Sequence, residues 1–202
     1  MQHDFCQLCQ QIEAEPHLWQ ALLHLCHHKG LQPDILLFCI WFAQGRQGTL
    51  TTGLLLSKLK ASHAWLSCLL HSQAFTETLK KSNIIDRTEC NAFLKQVQAA
   101  YRISLTQCEM RSMLSNKSYK HRLRDACQNI FLYCRNARVT FNRDQLPCLS
   151  DILIHIWPDC QIDITNDILT HKWQTSDQRH LNQMRLDLAL SAPTPAHHKP
   201  EA

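Results

Sequence analysis

Three observations predict an all-α fold. All four glycines (Gly30, Gly45, Gly48 and Gly53) fall in the first quarter of the chain, no proline lies between Pro33 and Pro147, and apolar residues recur at spacings of three and four. Tight β-hairpins favour residues that tolerate positive φ, so a strand-rich chain would need more glycine and proline. The three-and-four spacing is that of one face of a helix. The expected architecture is a compact helical bundle around a buried central helix at about 34–44, with a helical C-terminal extension.

The elements follow in order. Residues 3–13 predict a short helix with Phe5, Leu8, Cys9 and Ile12 on one face. Residues 17–28 carry Leu18, Leu22, Leu25 and Cys26 on one face with Trp19 beside it, and Gly30 suits the left-handed position that closes a helix. Pro33 and Asp34 suit the first turn of the next helix and Gly45 its end. Between them the run Ile35 to Ala43 is apolar on every side, which predicts a helix enclosed by its neighbours. Its side chains would contribute about 15 to 25 kcal/mol on burial, before conformational entropy is subtracted. The run is too short to span a bilayer, which takes roughly 18 to 20 apolar residues.

Two further helices are expected at 50–60 and 62–81, with Ser62 capping the second and Trp65, Leu66, Leu69 and Leu70 as its apolar side. Asp86-Arg-Thr-Glu89 then reads as a capping-box start. The helix it opens would continue through Phe93, Leu94, Val97, Ala100 and Leu105 to Leu114, with a break near Ser104.

Beyond Ser115 the charge pattern changes. Residues 117–143 hold Lys117, Lys120, Arg122, Arg124, Arg135, Arg138 and Arg143 against Asp125 alone, whereas residues 144–177 hold six aspartates against Lys172. The net charge of +4 therefore hides a basic segment followed by an acidic one, and pairing between the two is the simplest expectation. The expected organisation is a helical core domain at 1–115, a charged helical extension at 116–190 packed on or beside it, and a mobile tail at 191–202, SAPTPAHHKPEA.

The 11 cysteines are odd in number and mostly stand beside apolar residues, as in Phe38-Cys39-Ile40 and Tyr133-Cys134. That is the pattern of reduced thiols used as small hydrophobes, not of a disulfide framework. The amino terminus shows neither a signal peptide nor a lipidation motif. A cytoplasmic protein without membrane association is expected.

The pattern Cys6-x-x-Cys9 followed by His24-x-x-x-His28 has the spacing of a tetrahedral zinc site. Its context opposes that reading, because both cysteines fall in an amphipathic helical pattern and no hydrophobic strand follows. Buried thiols and surface histidines are the better expectation. As a redox pair the cysteines lack a strand-to-helix setting. No GxGxxG, GxxxxGK[ST], GxSxG or HExxH occurs, and Gly45-Arg-Gln-Gly48 with Gly53 reads as a loop between helices. No cofactor and no catalytic residues are implied.

The stretch FCQLCQQIEAEPHLWQALLHLCHHKGLQPDILLFCIWFAQGR, followed by Trp65 and by CEMRSML at 108–114, resembles an uncharacterised family of small all-helical proteobacterial proteins over about residues 3–115. Gly30-Leu-Gln-Pro-Asp34, Leu36-Leu37, Trp41 and Trp65 carry the resemblance, although the turn lacks the family's asparagine. The resemblance implies a helical fold and a cytoplasmic location, and no activity.

The expected function is a non-catalytic protein-interaction module: an adaptor or accessory subunit of a cytoplasmic bacterial complex, of which a secretion-system adaptor is one concrete form. Its candidate contacts are the cations Lys117, Lys120, Arg122, Arg124, Arg135 and Arg138 together with Ile152, Ile156 and Trp157. The last three belong to an apolar second half whose hydrophobic surface exceeds what a small core hides. The alternative is a nucleic-acid-binding protein that uses the basic segment 117–143 on phosphates.

Overall fold

A computed structural model of the chain describes residues 5–27, 30–45, 48–81, 86–107, 118–141 and 145–160. Every regular element among these residues is a helix, with no strand: α1 (Phe5–Ala14), α2 (Pro16–His27), α3 (Pro33–Gln44), α4 (Thr52–Lys81), α5 (Arg87–Thr106), α6 (Tyr119–Asn136), α7 (Leu146–Ile156), and a 3-10 turn at Pro158–Cys160.

α3 is the centre of the core. Every side chain from Ile35 to Ala43 is buried, as a helix apolar on all sides requires. α1 docks on it through Phe5, whose ring meets Phe38 edge-on at 6.0 Å and Trp41 at 5.6 Å. α2 turns its Leu18, Leu22, Leu25 and Cys26 face inward. It closes as expected, with Gly30 at φ 66° and the amide of Leu31 donating to the Cys26 carbonyl, a Schellman arrangement.

Opposite α1, α6 lays Leu123, Ala126, Cys127, Ile130, Tyr133 and Cys134 into the same hydrophobic cluster as α3, and α7 packs on α2 with Leu149, Ile152 and Leu153. A single apolar core thus has members from both sides of residue 115. The expected boundary itself falls in 108–117, outside the described residues, as do most of the acidic stretch and the tail expected at 191–202.

Three local expectations are corrected. The helices expected at 50–60 and 62–81 are one continuous α4, because nothing between Leu54 and Lys81 breaks a helix: no glycine or proline occurs there. Ser62 caps nothing; it is fully buried mid-helix, where its hydroxyl meets the Tyr101 hydroxyl at 2.6 Å and the Gln32 side chain. Asp86 stands at the N-cap of α5 but makes no capping hydrogen bond, and that helix ends at Thr106.

α4 is about 45 Å long at 1.5 Å per residue. Its base is buried through Leu55, Lys58 and Ser62, and beyond Ser62 only Thr76 is buried. α5 runs back along it. Lys58 meets the C-terminal carbonyls of α5, Trp65 lies over Tyr101 at 6.5 Å, and Cys90 approaches the Thr76 carbonyl near the tip. The outer halves of α4 and α5 therefore form a two-helix arm carried by the core.

Candidate interaction surface

The arm is anchored by a polar cluster. Arg102, near the end of α5, has a side chain only 6% exposed, and its guanidinium reaches two other helices. Nε donates to Asp34 at 2.9 Å, while the two terminal nitrogens donate to the carboxylate of Glu13. α1, α3 and α5 are joined by one cation, which answers two carboxylates that retain part of their water contact. Burial raises the Asp34 carboxyl above its ordinary range, with the Arg102 charge opposing. Burial likewise pushes the Cys9 and Tyr101 groups up, and the Cys26 thiol to about 12. These thiols are held protonated, which is the unreactive form.

Beside the ion cluster, Ser62 joins Tyr101 and the Gln32 side chain, and the Gln32 amide donates to the Tyr133 hydroxyl at 2.7 Å. Arg102, Glu13 and Asp34 answer one another, so the cluster acts as a clamp at the base of the arm.

Above this base the arm exposes apolar side chains. Leu70 is 56% exposed, Phe75 60% and Phe93 45%, while Leu56 and Ile103 are open beside the base itself. A folded chain buries such side chains where it can, at roughly 25 cal/mol per Å². The arm is too thin to cover both sides of itself.

The expected contact residues divide. Ile152 and Trp157 are buried in the core and Ile156 packs against it, so they are not free to dock a partner. This corrects the expectation that the second half has apolar surface to spare: α2 takes the inward face of α7. Of the cations, Lys120, Arg124 and Arg135 are exposed on α6, Arg138 is exposed just past its end, and Arg122 is half-buried. Lysine 117 lies outside the described residues. Positions 120, 124 and 135 fall within about 60° of one another around the helix, on the flank beside the apolar face that meets α3.

The metal spacing is not assembled into a cluster. Cys9 is fully buried on α1, Cys6 is half-buried and His24 is exposed on α2, while His28 lies outside the described residues. Among the described residues no three His, Cys, Asp or Glu side chains come together as a metal would need. Cys6, Cys9, Cys26, Cys39, Cys68, Cys90, Cys127, Cys134 and Cys148 are free thiols. No described helix is long and apolar enough to cross a membrane.

Sequence reasoning missed Arg102 and the arm. Arg102 sits at position i+1 from Tyr101 in an amphipathic helix and looks like any surface cation; only the carboxylates 68 and 89 residues away distinguish it. Apolar residues on several sides of α4, Leu56, Leu70 and Phe75 among them, were a legible signal of incomplete burial.

No family model, no curated protein and no solved structure matches the chain.

Proposed function

We propose that the protein is a non-catalytic protein-interaction module whose contact surface is the outer half of the α4–α5 arm. One observation carries this reading: Leu70, Phe75 and Phe93 stand open on an arm that a polar clamp holds rigidly to the core. Aromatic side chains are enriched in the cores of protein interfaces, and exposed apolar patches mark interaction sites. The family resemblance belongs to the same proposal. It bears on the fold, since Leu36, Leu37 and Trp41, on which it rests, are core residues.

The test is site-specific photo-crosslinking in cells with the photoreactive residue at position 75 or 93, and at the exposed Gln128 of α6 as control. A discrete protein adduct at 75 and 93 that is missing at 128 is expected. Equal labelling at all three positions would remove the arm as the surface.

The exposed cations of α6 favour a second reading, contact with a polyanion. Lys120, Arg124 and Arg135 line one side of the helix, over about 22 Å at 1.5 Å per residue. Binding to short single- and double-stranded nucleic acids, followed by fluorescence anisotropy, would then weaken steeply with salt. Binding that ignores Arg124→Gln with Arg135→Gln would end this reading.

A further inference from the structure

The exposed charge of α6 and its closing turn has one sign. Among residues 118–141 the acid is Asp125, which is buried, so every charged side chain that stands exposed there is a cation: Lys120, Arg124, Arg135 and Arg138. Arg124, Arg135 and Arg138 form no ion pair among the described residues. Helix stability does not explain where the outermost two stand. Lys120 lies in the first turn, which holds no acid although the helix dipole favours one there. Arg138 takes the left-handed position past the last turn, at φ 55°, where glycine is free of strain.

We infer that these cations hold the phosphate backbones of a nucleic-acid duplex; the inference rests on the polyanion reading of the same surface. Arg124 and Arg135 stand roughly 16 Å apart along the axis at 1.5 Å per residue, and Gln128 is the exposed side chain between them. The cations therefore fall into two groups with a neutral gap. Two phosphate strands that border a groove, about 12 Å wide for the major groove of B-form DNA, present their charge in that way. A single strand has one backbone, and proteins that hold it stack its bases on aromatic side chains, a platform that Gln128 does not supply.

This surface suits phosphate better than protein or lipid. The cores of protein interfaces are apolar, whereas the apolar side chains of α6 go into the cluster around α3, with Phe131 and Leu132 half-buried against it. Among the described side chains of α6, none that is exposed is apolar, so the helix has no edge to enter a membrane surface. Backbone phosphates need cations on a support that keeps their spacing. α6 is such a support, because Asn129 ties it to the Cys39 and Gly48 carbonyls and to the Leu50 amide. Contacts to phosphate carry no base sequence, so the binding is indifferent to it.

Fluorescence anisotropy of the full chain with a short DNA duplex, the matching RNA duplex and the separate strands provides the test. At least one duplex is expected to bind several-fold more tightly than its strands, and the tighter duplex names the source of the phosphate. Contacts from four cations give a slope of log affinity against log salt between about −3 and −4. Arg138→Gly is expected to weaken duplex binding about five- to tenfold at about 0.1 M salt and to make that slope shallower by about one, while raising the melting temperature. A purely structural side chain would not lower affinity in a chain that has become more stable. Duplex binding indifferent to Arg138→Gly, or no duplex binding at low salt, overturns the inference. Strands held as tightly as the duplex, and released by Arg124→Gln with Arg135→Gln, overturn the duplex alone and leave the polyanion reading standing, so the two failures are separable.

Discussion

Arg102 shows what one side chain can hold together. It is the shared partner of Glu13 and Asp34, and its removal leaves two carboxylates facing each other at a helix junction. Arg102→Met is expected to cost about 2 to 4 kcal/mol by urea unfolding, less than the loss of a fully buried pair because both carboxylates keep some water. Asp34 adds a pH signature. Its raised pKa means that the folded chain holds the proton more tightly than the unfolded one, so its contribution to stability is present below the ordinary carboxyl range and lost as pH rises through the folded value. Asp34→Asn, which keeps an acceptor for Arg102, is expected to lose less stability than wild type as the pH is raised above the ordinary carboxyl range. Identical pH slopes in thermal melts would refute this. Asn129, 1% exposed on α6, satisfies itself completely: its amide donates to the Cys39 and Gly48 carbonyls at 3.1 and 3.2 Å, and its oxygen accepts from the Leu50 amide. Asn129→Leu is expected to cost about 2 to 4 kcal/mol, since buried polar groups on α3 and its following loop lose their partner. None of these roles was legible in the sequence, where Asn129 opens an apolar run and Asp34 is a residue suited to a helix start. Each depends on a partner far along the chain.

At the scale of the element, the sequence was legible wherever the physics was local. The inward faces of α1 and α2, the all-round burial of α3 and the closing turn at Gly30 follow from spacing and from one backbone conformation. α6 closes with the same Schellman bond as α2, the Val139 amide donating to the Cys134 carbonyl, but with Arg138 in the left-handed position at φ 55°. The two sites make a matched pair. Gly30→Ala meets no atom within 4 Å yet is expected to destabilise by about 1 kcal/mol through backbone strain, whereas Arg138→Gly is expected to stabilise by up to about 1 kcal/mol; both are read from thermal melts. The end of α5 was misplaced because a neighbour sets it. Lys58, 5% exposed, donates from Nζ to the carbonyls of Gln107 at 2.9 Å and Ser104 at 3.4 Å, satisfying the last turn from outside. Lys58→Met keeps the aliphatic stem, so its expected cost of about 1 to 3 kcal/mol isolates those hydrogen bonds.

For the whole molecule, the decisive packing is α6 against α3. A segment that reads as a charged extension supplies one wall of the core, while Lys120, Arg124 and Arg135 stay exposed on its flank. The packing of α7 on α2 takes Ile152 out of reach of a partner, Trp157 is buried with it, and among the described residues the α4–α5 pair keeps large apolar side chains open. The sequence by itself determined the helical class, the central place of Ile35 to Ala43 and the thiol character of the described cysteines, because periodicity, glycine placement and apolar run length act within a few residues of the chain. Only the tertiary structure decided which apolar faces find a cover, that Arg102 draws three helices together, and that α4 runs on past the core. Those outcomes depend on how much surface other elements can reach, which no short window of sequence contains.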